Sequence, residues 1–254
     1  MKNKIVFITG ASSGIGLACA ELFAKKGAKL ILAARRIEKI NRLKKVLERK
    51  YKTECLCVKL DVRINSQVEK TVSSFPDNWK KIDVLINNAG LSRGLDKLHE
   101  GKIQDWDEML DTNVKGLLYV SRAVIPAMVK RNSGHVINIG SVAGHEVYPK
   151  GNVYCASKHA VDAITNGMRL DLTDTKIRVT TIDPGLVETD FSIVRFRGNK
   201  ERAKKVYEGI KPLTPEDVAD AVYYAASRKE NVVVAEMILL PKHQGSSMVV
   251  HRKS

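Results

Sequence analysis

The sequence predicts an α/β fold: a doubly wound, parallel β-sheet of about seven strands with helices on both faces. Short apolar runs alternate along the chain with helical patterns, as expected when each strand is followed by a crossover helix. The strand-like runs are apolar at successive positions, which indicates a sheet buried on both faces. Glycines and polar residues collect where these runs end, and this edge is where open sheets of this kind bind ligands.

The predicted elements follow one another in a regular order. The strand-like runs are 4–9, 29–34, 55–62, 83–90, 135–141, 178–185 and 236–241. The helical patterns are at about 14–26, 37–50, 65–75, 103–130, 152–172 and 214–227. The last helix has a clear start, because Thr214 offers a hydroxyl N-cap and Pro215 suits the first turn. Residues 186–213 form the longest interruption; we interpret them as a mobile substrate lid, with a disordered surface insertion as the alternative.

Length and composition indicate one globular domain over residues 1–254. Apolar residues make up 44% of the chain and aromatic residues 6%, which argues against disordered and fibrous classes. No apolar run approaches the roughly 18 residues of a membrane span. The N-terminus passes straight into a strand without the layout of a signal peptide. We therefore expect a cytoplasmic protein with no membrane partner.

The net charge of +15 is the unusual bulk property of the chain. Its densest basic cluster, residues 39–52, has Ile40, Leu43 and Leu47 at helical spacing, so most of its lysines and arginines fall on a solvated face. The cluster lacks the aromatic interleaving that stacks bases, and we expect no nucleic-acid partner. Docking of an acidic partner stays open as an alternative.

The four cysteines give no sign of a metal site. They lie in apolar or strand-like runs, and the Cys55-x-Cys57 pair lacks the second pair of ligands that a zinc site needs. We interpret Cys19, Cys55, Cys57 and Cys155 as buried, reduced thiols, and we predict no metal ligands in the sequence.

The first loop, TGASSGIG at 9–16, follows a strand and opens a helix. In this context glycines let the backbone approach a pyrophosphate and leave helix N–H groups free to bind it, which predicts a Rossmann dinucleotide site. A glycine-rich turn that only packs a helix against a strand is the alternative. The loop residues predicted to bind the cofactor are Gly10, Ser12, Ser13, Gly14, Ile15 and Gly16.

The end of the second strand indicates which dinucleotide is bound. NAD-binding domains place an acidic residue here for the ribose hydroxyls, whereas this chain has Arg35 and Arg36 and no carboxylate before Glu38. Two guanidinium groups can bind a 2′-phosphate, so NADP is predicted. The alternative is that the arginines merely begin a solvated helix. Asp61 and Val62, after the third strand, could hold the adenine edge or simply form a turn.

Tyr154 and Lys158 lie four residues apart within a helical pattern, so their side chains share one face. The spacing permits chemistry without requiring it, because an amphipathic surface pair has the same pattern. A neighbouring cation favours the phenolate, and an unperturbed phenol titrates near pH ~10, too high for a good base at neutral pH. Whether the pair is reactive depends on the residues around it.

Those residues follow a recognisable order. The motifs are TGASSGIG, NNAG at 87–90, Asn113, Ser141, YCASK at 154–158 and DPG at 183–185. Together they resemble the short-chain dehydrogenase/reductase family, and the match covers nearly the whole chain at ordinary spacing. The resemblance implies that Tyr154 exchanges a proton with the substrate oxygen, that Lys158 also holds the nicotinamide ribose, and that Ser141 hydrogen-bonds the carbonyl oxygen.

The resemblance assigns roles to further residues. Asn113 is implied to bind a water that links the lysine to solvent, and an asparagine is an unusual choice inside a helix. Asn87, Ala89 and Gly90 are implied to line the ribose side of the cofactor. The residues matching the segment that contacts the nicotinamide carboxamide are Pro184, Gly185, Val187 and Thr189, for which a plain turn is the alternative.

Further stretches, among them FSIVRFRG, LTPEDVADAV and the terminal VVHRKS, are similar to the NADP-dependent 3-hydroxy acid dehydrogenases of this family. The resemblance implies oxidation of serine, allo-threonine or related 3-hydroxy acids, or reduction of malonic semialdehyde. Such a substrate carries a carboxylate, and the lid supplies Arg195, the better match, and Arg197 as possible clamps. His145 and Glu146 depart from the expected pocket, where His145 could recognise a carboxylate or be structural.

Other functions stay open. A 3-oxoacyl-carrier-protein reductase would make use of the positive charge, and a general carbonyl reductase would share the same site. A non-catalytic NADP-sensing module would have no need of Asn113, Ser141, Tyr154 and Lys158 together. The resemblance also implies a homotetramer assembled through helices 103–130 and 152–172, and we expect the tail 245–254 to pack against a neighbouring subunit.

Overall fold

The computed structural model describes residues 1–252, and the predicted contact of the tail at residues 253–254 lies outside the described residues. Seven strands form one parallel sheet in the order β3-β2-β1-β4-β5-β6-β7, which confirms the predicted fold class. The strands are β1 Ile5–Thr9, β2 Lys29–Ala34, β3 Cys55–Lys59, β4 Ile82–Asn87, β5 Gly134–Ile139, β6 Ile177–Pro184 and β7 Glu236–Leu239.

Helices cover both faces of this sheet. They are α1 Gly14–Lys25, α2 Ile37–Tyr51, α3 Asn65–Ser73, α4 Ile103–Leu110, α5 Gly116–Lys130, α6 Asn152–Asp171, α7 Phe191–Arg195, α8 Lys200–Lys205 and α9 Pro215–Ala226. Within residues 1–252, no helix is both long enough and apolar enough to cross a membrane.

The core consists of two apolar layers separated by the sheet. Val6 and Ile8 of β1 point to one side, where α1, α2 and α9 pack. Phe7, the residue between them, points to the other side, toward apolar residues of α3 and α5. This alternation along a fully buried strand explains why its sequence is continuously apolar rather than alternately polar.

The segment predicted as one helix over 103–130 is divided by a π-helical turn at Asp111–Lys115. Asn113 lies in this turn, and its side-chain oxygen accepts a hydrogen bond from the backbone nitrogen of Leu91 at 2.8 Å. Its amide nitrogen donates to the Leu91 carbonyl oxygen at 2.8 Å. The π-turn positions Asn113 for these tertiary hydrogen bonds. A hydrophobic pattern in the sequence does not reveal such a turn. π-Turns are frequent at functional sites.

The segment 186–213 contains two short helices, α7 and α8, so the interpretation as a disordered insertion is not supported. Its two ends are joined, because Val187 and Leu213 form a parallel bridge. The backbone nitrogen of Gly94 donates to the carbonyl oxygen of Arg195 at 3.0 Å, which fixes α7 to the loop after β4. The segment thus lies as a structured cover at the carboxyl edge of the sheet.

The C-terminal residues fold back as a hairpin over 243–251. His251 donates its backbone N–H to the His243 carbonyl at 2.8 Å, and Gln244 pairs with Val250 in an antiparallel bridge. The hairpin contacts its own chain, since Arg252 donates to the Val206 carbonyl at 3.1 Å. Met248 and Val249, at the hairpin tip, are more than half exposed.

Candidate active site

A cavity of about 800 Å³ opens at the carboxyl edge of the sheet, between the strand-end loops, the lid and the C-terminal hairpin. Most residues predicted from the sequence to form the site line it. They are Gly10, Ser12, Ser13, Gly14, Ile15, Arg35, Arg36, Asp61, Val62, Ala89, Gly90, Ser141, Tyr154, Lys158, Pro184, Gly185, Val187, Thr189 and Arg195.

The glycine-rich loop after β1 owes its shape to backbone conformations that other residues rarely adopt. Gly10 has φ +68° and Gly14 has φ +55°, and both line the cavity. Gly16 is buried instead, and a Cβ there would lie 2.6 Å from the Gly10 carbonyl oxygen. The absence of a side chain at this position therefore lets α1 pack against the loop, and the predicted contact of Gly16 with the cofactor stays a prediction.

Two arginines lie at the end of β2. The Arg36 guanidinium donates to the Ser12 hydroxyl at 3.0 Å and to the Ser13 hydroxyl at 3.1 Å. Arg35 lies beside it at the cavity edge. Within residues 1–252, neither arginine forms an ion pair with a carboxylate. Two unneutralised guanidinium groups and two hydroxyls fit the 2′-phosphate of NADP.

Asp61 lies after β3, the strand that pairs with β2, and so at the strand end next to these arginines. Its carboxylate is bound by the Arg63 guanidinium at 2.6 Å, and this hydrogen bond lowers the pKa of the Asp61 carboxyl. The backbone nitrogen of Asp61 donates to the side-chain oxygen of Gln67 at 2.8 Å. Asp61 is therefore a fixed, ionised acceptor at the cavity wall next to Val62.

The two asparagines at the end of β4 lie in different environments, and the predicted cofactor contact of Asn87 stays a prediction. Asn87 does not line the cavity; its amide is buried and donates to the Ser121 hydroxyl and to the Asn138 side-chain oxygen, both at 2.9 Å. Successive strand side chains point to opposite faces, so the next residue, Asn88, takes the cavity position. Asn88 donates its amide to the Thr9 carbonyl at 2.9 Å and so joins the loops after β1 and β4.

Tyr154 lies on the cavity wall with its side chain buried. Burial raises the pKa of its phenol, and the neighbouring Tyr148 acts in the same direction. Arg195 and the Ser141 hydroxyl lower this pKa but do not outweigh burial. The phenol is thus protonated at neutral pH, in contrast to the expectation that a neighbouring cation favours the phenolate.

Lys158 lies one helical turn further along α6, with its nitrogen 6.0 Å from the centre of the Tyr154 ring. The ammonium donates to the Ile139 carbonyl at 2.9 Å. Burial lowers the pKa of Lys158 to about 8, and the attraction of Asp183 offsets only part of this effect. Because this pKa lies close to physiological pH, Lys158 can both release and take up a proton there.

Ser141 and Asn113 support this pair from two sides. Ser141 follows β5 and lines the cavity, where its hydroxyl accepts from the Ala143 backbone nitrogen at 3.1 Å. Asn113 does not line the cavity; its amide donates to the Ser157 hydroxyl at 3.0 Å, beside Lys158. In residues 1–252, then, Asn113 braces α6 against the loop after β4, and its predicted water relay stays a prediction.

Arg195 brings a positive charge onto Tyr154 from the lid. The centre of its guanidinium lies 5.3 Å from the centre of the Tyr154 ring. It donates to the Tyr148 hydroxyl at 3.1 Å and to the Ser92 hydroxyl at 3.0 Å. Arg197 points elsewhere, because its guanidinium pairs with the buried carboxylate of Asp105. Of the two predicted clamps, the structure thus brings only Arg195 to the cavity.

His145 does not line the cavity either. Its ring nitrogen Nε2 lies 3.6 Å from a carboxylate oxygen of Asp183 and 3.4 Å from one of Glu236. Its position gives no support to the predicted substrate contact. The neighbouring Glu146 accepts a hydrogen bond from the backbone nitrogen of Ser247 at 2.7 Å and so fixes the C-terminal hairpin.

Sequence reasoning missed several residues of the cavity wall. Tyr148 belongs to the loop before α6, and its hydroxyl accepts the hydrogen bond from Arg195 that orients the guanidinium. Gln244, in the tail, accepts from the Leu186 backbone nitrogen at 2.8 Å and orders the segment after β6. Phe191 meets the Tyr154 ring edge to face at 5.7 Å. Phe191 belongs to the stretch FSIVRFRG quoted above, but the sequence alone assigned no role to its ring. An aromatic residue six positions before Tyr154 was a usable signal for Tyr148.

The chain matches known proteins along most of its length. The model of the family described as short chain dehydrogenase matches residues 4–200. The NADP-dependent 3-hydroxy acid dehydrogenase of Schizosaccharomyces pombe is 46% identical over 254 residues, covering 100% of this chain and 98% of that protein. The protein of the same description from Escherichia coli K12 is 42% identical over 251 residues, covering 98% and 100% of the two chains.

Solved structures agree with these matches. The closed form of serine dehydrogenase complexed with NADP⁺ superimposes with a TM-score of 0.92 at 41% identity, covering 98% of this chain and 100% of that one. The crystal structure of serine dehydrogenase from Escherichia coli gives a TM-score of 0.82 at 39% identity, covering 94% and 99%.

Proposed function

This chain belongs to the short-chain dehydrogenase family and is an NADP-dependent oxidoreductase, and we propose that it interconverts small 3-hydroxy acids and the corresponding 3-oxo acids. Serine, allo-threonine and 3-hydroxypropionate represent the substrate class. The observation that carries the proposal is the position of Arg195 over Tyr154, because it places a carboxylate-binding group beside the proposed proton donor.

Two kinds of residue at the cavity edge would hold NADP: arginines that supply positive charge, and small residues that let the cofactor approach the backbone. Arg35 and Arg36 would bind the 2′-phosphate, and the loop around Gly10 and Gly14 would accept the pyrophosphate. When bound, the cofactor gives or takes the hydride. On the remaining wall, Ala89 and Gly90 have the small side chains that a close approach requires, and Pro184, Gly185, Val187 and Thr189 lie on the other side.

Tyr154 is the proposed proton donor. Because burial raises the pKa of its phenol, the group is protonated at neutral pH and ready to protonate an alkoxide that forms from a carbonyl oxygen. In the oxidative direction Tyr154 must first lose this proton, and its phenolate oxygen then accepts the hydroxyl proton. The field of Lys158 and the hydroxyl of Ser141 are then needed to stabilise the charge that develops, since donors aimed at developing charge lower the barrier most.

Arg195 is the proposed site of carboxylate binding. Its guanidinium has five N–H donors, and the contacts with Tyr148 and Ser92 fix its orientation while leaving donors for a bidentate partner. A 3-hydroxy acid has its carboxylate two carbons from the reacting carbon, which suits a cation close to Tyr154. The relatives that are named for 3-hydroxy acids and for serine support this assignment.

The test is a substrate and cofactor panel followed at 340 nm. NADP⁺ and NAD⁺ are each combined with L-serine, D-serine, L-allo-threonine and 3-hydroxypropionate. We expect saturable reduction of NADP⁺ by at least one of these acids and much slower reduction of NAD⁺. Activity confined to 3-oxoacyl thioesters or to aldehydes without a carboxylate would contradict the proposal.

We also propose a cytoplasmic homotetramer. Leu118 and Val129 on α5 and Leu170 on α6 are exposed apolar side chains on the two helices through which the family resemblance implies assembly. Met248 and Val249 at the hairpin tip would pack against a neighbouring subunit. Light scattering of the purified protein should give four times the mass of one chain, and a monomer would refute this proposal.

A further inference from the structure

Three side chains from distant parts of the sequence meet behind Ser141. They are His145, in the loop after β5, Asp183, near the end of β6, and Glu236, at the start of β7. One ligand atom from each lies within 4.8 Å of the other two. The cluster is separate from the cavity, because His145 and Glu236 do not line it.

Two of the three side chains present buried atoms without a partner. Nε2 of His145 and Oδ2 of Asp183 are shielded from solvent and have no hydrogen-bond partner within residues 1–252. Asp183 is only 1% exposed, so the missing partner is costly. Its other oxygen is satisfied, because the Ser141 backbone nitrogen and the Thr181 hydroxyl each donate to it at 3.0 Å.

The spacing of these atoms is informative. The His145 nitrogen lies 3.6 Å from the Asp183 oxygen and 3.4 Å from the Glu236 oxygen. Charge-assisted hydrogen bonds between nitrogen and oxygen are about 2.7–2.9 Å long, so these two contacts are longer than direct hydrogen bonds of that kind. Two ligands about 2.1 Å from a tetrahedral ion lie about 3.4 Å apart, which is close to both distances.

We propose that His145, Asp183 and Glu236 bind a divalent transition-metal ion. One imidazole and two carboxylates form a mixed nitrogen and oxygen ligand set that suits Zn²⁺ first and Mn²⁺ second. The exposed side of Glu236 leaves room for water as a fourth ligand and gives the ion a way in.

Charge and local geometry agree with this assignment. Asp183 and Glu236 bring two carboxylates to the cluster, and one divalent cation matches their charge. Residue 140 is a glycine, and a Cβ there would overlap the Asp183 carboxylate, so the chain leaves space for this orientation.

The ion would act on the active site through position. Asp183 accepts from the Ser141 backbone nitrogen, so an ion that fixes the Asp183 carboxylate also fixes the start of the turn that carries the Ser141 hydroxyl. It would also tie the edge strand β7 to β6 through Glu236. Asp183 and His145 are therefore positioning residues in this proposal.

The test is a calorimetric titration of ZnCl₂ into tag-free protein that has been stripped with EDTA and kept reduced. His145→Gln and Glu236→Gln each remove one ligand. His99→Gln is the matched control, because His99 lies 3.6 Å from the carboxylate of Glu100 in an exposed pair with no third ligand. Circular dichroism and NADP⁺ binding establish that each variant is folded.

We expect one equivalent of Zn²⁺ to bind to the wild type and to raise its Tm. Affinity should fall at least about 10-fold in both ligand variants and stay unchanged in His99→Gln. Absence of saturable binding to the wild type, or equal affinity in the folded ligand variants, would overturn the proposal. The first of these outcomes would leave the cluster as a plain histidine–carboxylate group, and neither would affect the proposed dehydrogenase reaction.

Discussion

The two halves of the cavity differ in how their residues are distributed along the chain. The proposed cofactor half consists of residues from the loop 10–15 together with 35–36 and 61–62, each a short contiguous motif at the end of a strand. The proposed substrate half consists of Ser141, Tyr148, Tyr154, Arg195 and Gln244, which are separated by up to about a hundred residues. Local backbone geometry creates the first half, whereas tertiary packing of the lid and the tail creates the second.

This difference explains what each half can do. A phosphate site needs free N–H groups and positive charge, which a glycine loop and two arginines provide wherever the fold is formed. A site for one substrate class needs a charge at a defined distance from the proton donor. In the proposed function, the segment 186–213 meets this need by bringing Arg195 to 5.3 Å from the centre of the Tyr154 ring. Variants in the two halves should therefore affect different kinetic constants.

The largest effect is expected for Tyr154→Phe. Removal of the phenol oxygen removes the proposed proton donor, and kcat should fall by about 10³-fold. The edge contact with Phe191 can persist, so NADP⁺ binding measured by fluorescence should change little. A variant that kept more than a tenth of wild-type kcat would show that another group transfers the proton.

The next largest effect is expected for the double variant Arg35→Ala with Arg36→Ala. Loss of two charge-assisted contacts to the 2′-phosphate should raise KM for NADP⁺ by about 10²-fold, while KM for NAD⁺ stays nearly constant. Steady-state kinetics with both cofactors measures the ratio. Equal changes for the two cofactors would mean that the arginines stabilise the loop, through Ser12 and Ser13, rather than recognise the phosphate.

A smaller effect, on stability, is expected for Lys158→Met. Burial holds the pKa of Lys158 at about 8 against an ordinary 10.5, so the charged ammonium destabilises the folded state. After allowance for the lost hydrogen bond to Ile139, the variant should gain about 2 kcal/mol in the free energy of unfolding near pH 7, together with loss of activity.

The lowered pKa of Lys158 also predicts how the stability gained in Lys158→Met depends on pH. Below pH 8 the lysine is charged in both the folded and the unfolded protein, and the cost of burial is fully present. Between pH 8 and 10.5 the folded protein releases the proton first, so wild-type stability rises relative to the variant. Urea denaturation at several pH values measures this difference, and a variant that was less stable at pH 7 would contradict the burial argument.

The sequence was sufficient for the sheet, because each buried parallel strand is an uninterrupted apolar run that ends in a motif. The sequence does not predict features that depend on contacts between residues distant in the chain. Asn87 and Asn88 are adjacent and chemically identical, and only the register of β4 determines which one faces the cavity. The π-turn around Asn113 depends on hydrogen bonds to Leu91, 22 residues earlier.

The same limit applies to charged residues. Arg195 and Arg197 lie in one short stretch, but Asp105 on α4 holds the second away from the cavity. His145 was interpreted as a neighbour of the pocket because it follows Ser141 closely, while its actual partners, Asp183 and Glu236, lie 38 and 91 positions further along the chain. Sequence spacing does not show that such residues are neighbours, because their proximity depends on how the strands pair in the sheet.

The central claim is that Arg195 recognises a carboxylate next to Tyr154, and the most direct measurement compares an acid with its neutral isostere. We would measure kcat/KM for 3-hydroxypropionate and for 3-hydroxypropionamide with NADP⁺, in the wild type, in Arg195→Leu and in the matched control Arg197→Leu. We expect a preference for the acid of at least about 10-fold that is lost in Arg195→Leu and kept in Arg197→Leu. An unchanged preference in Arg195→Leu would contradict this claim.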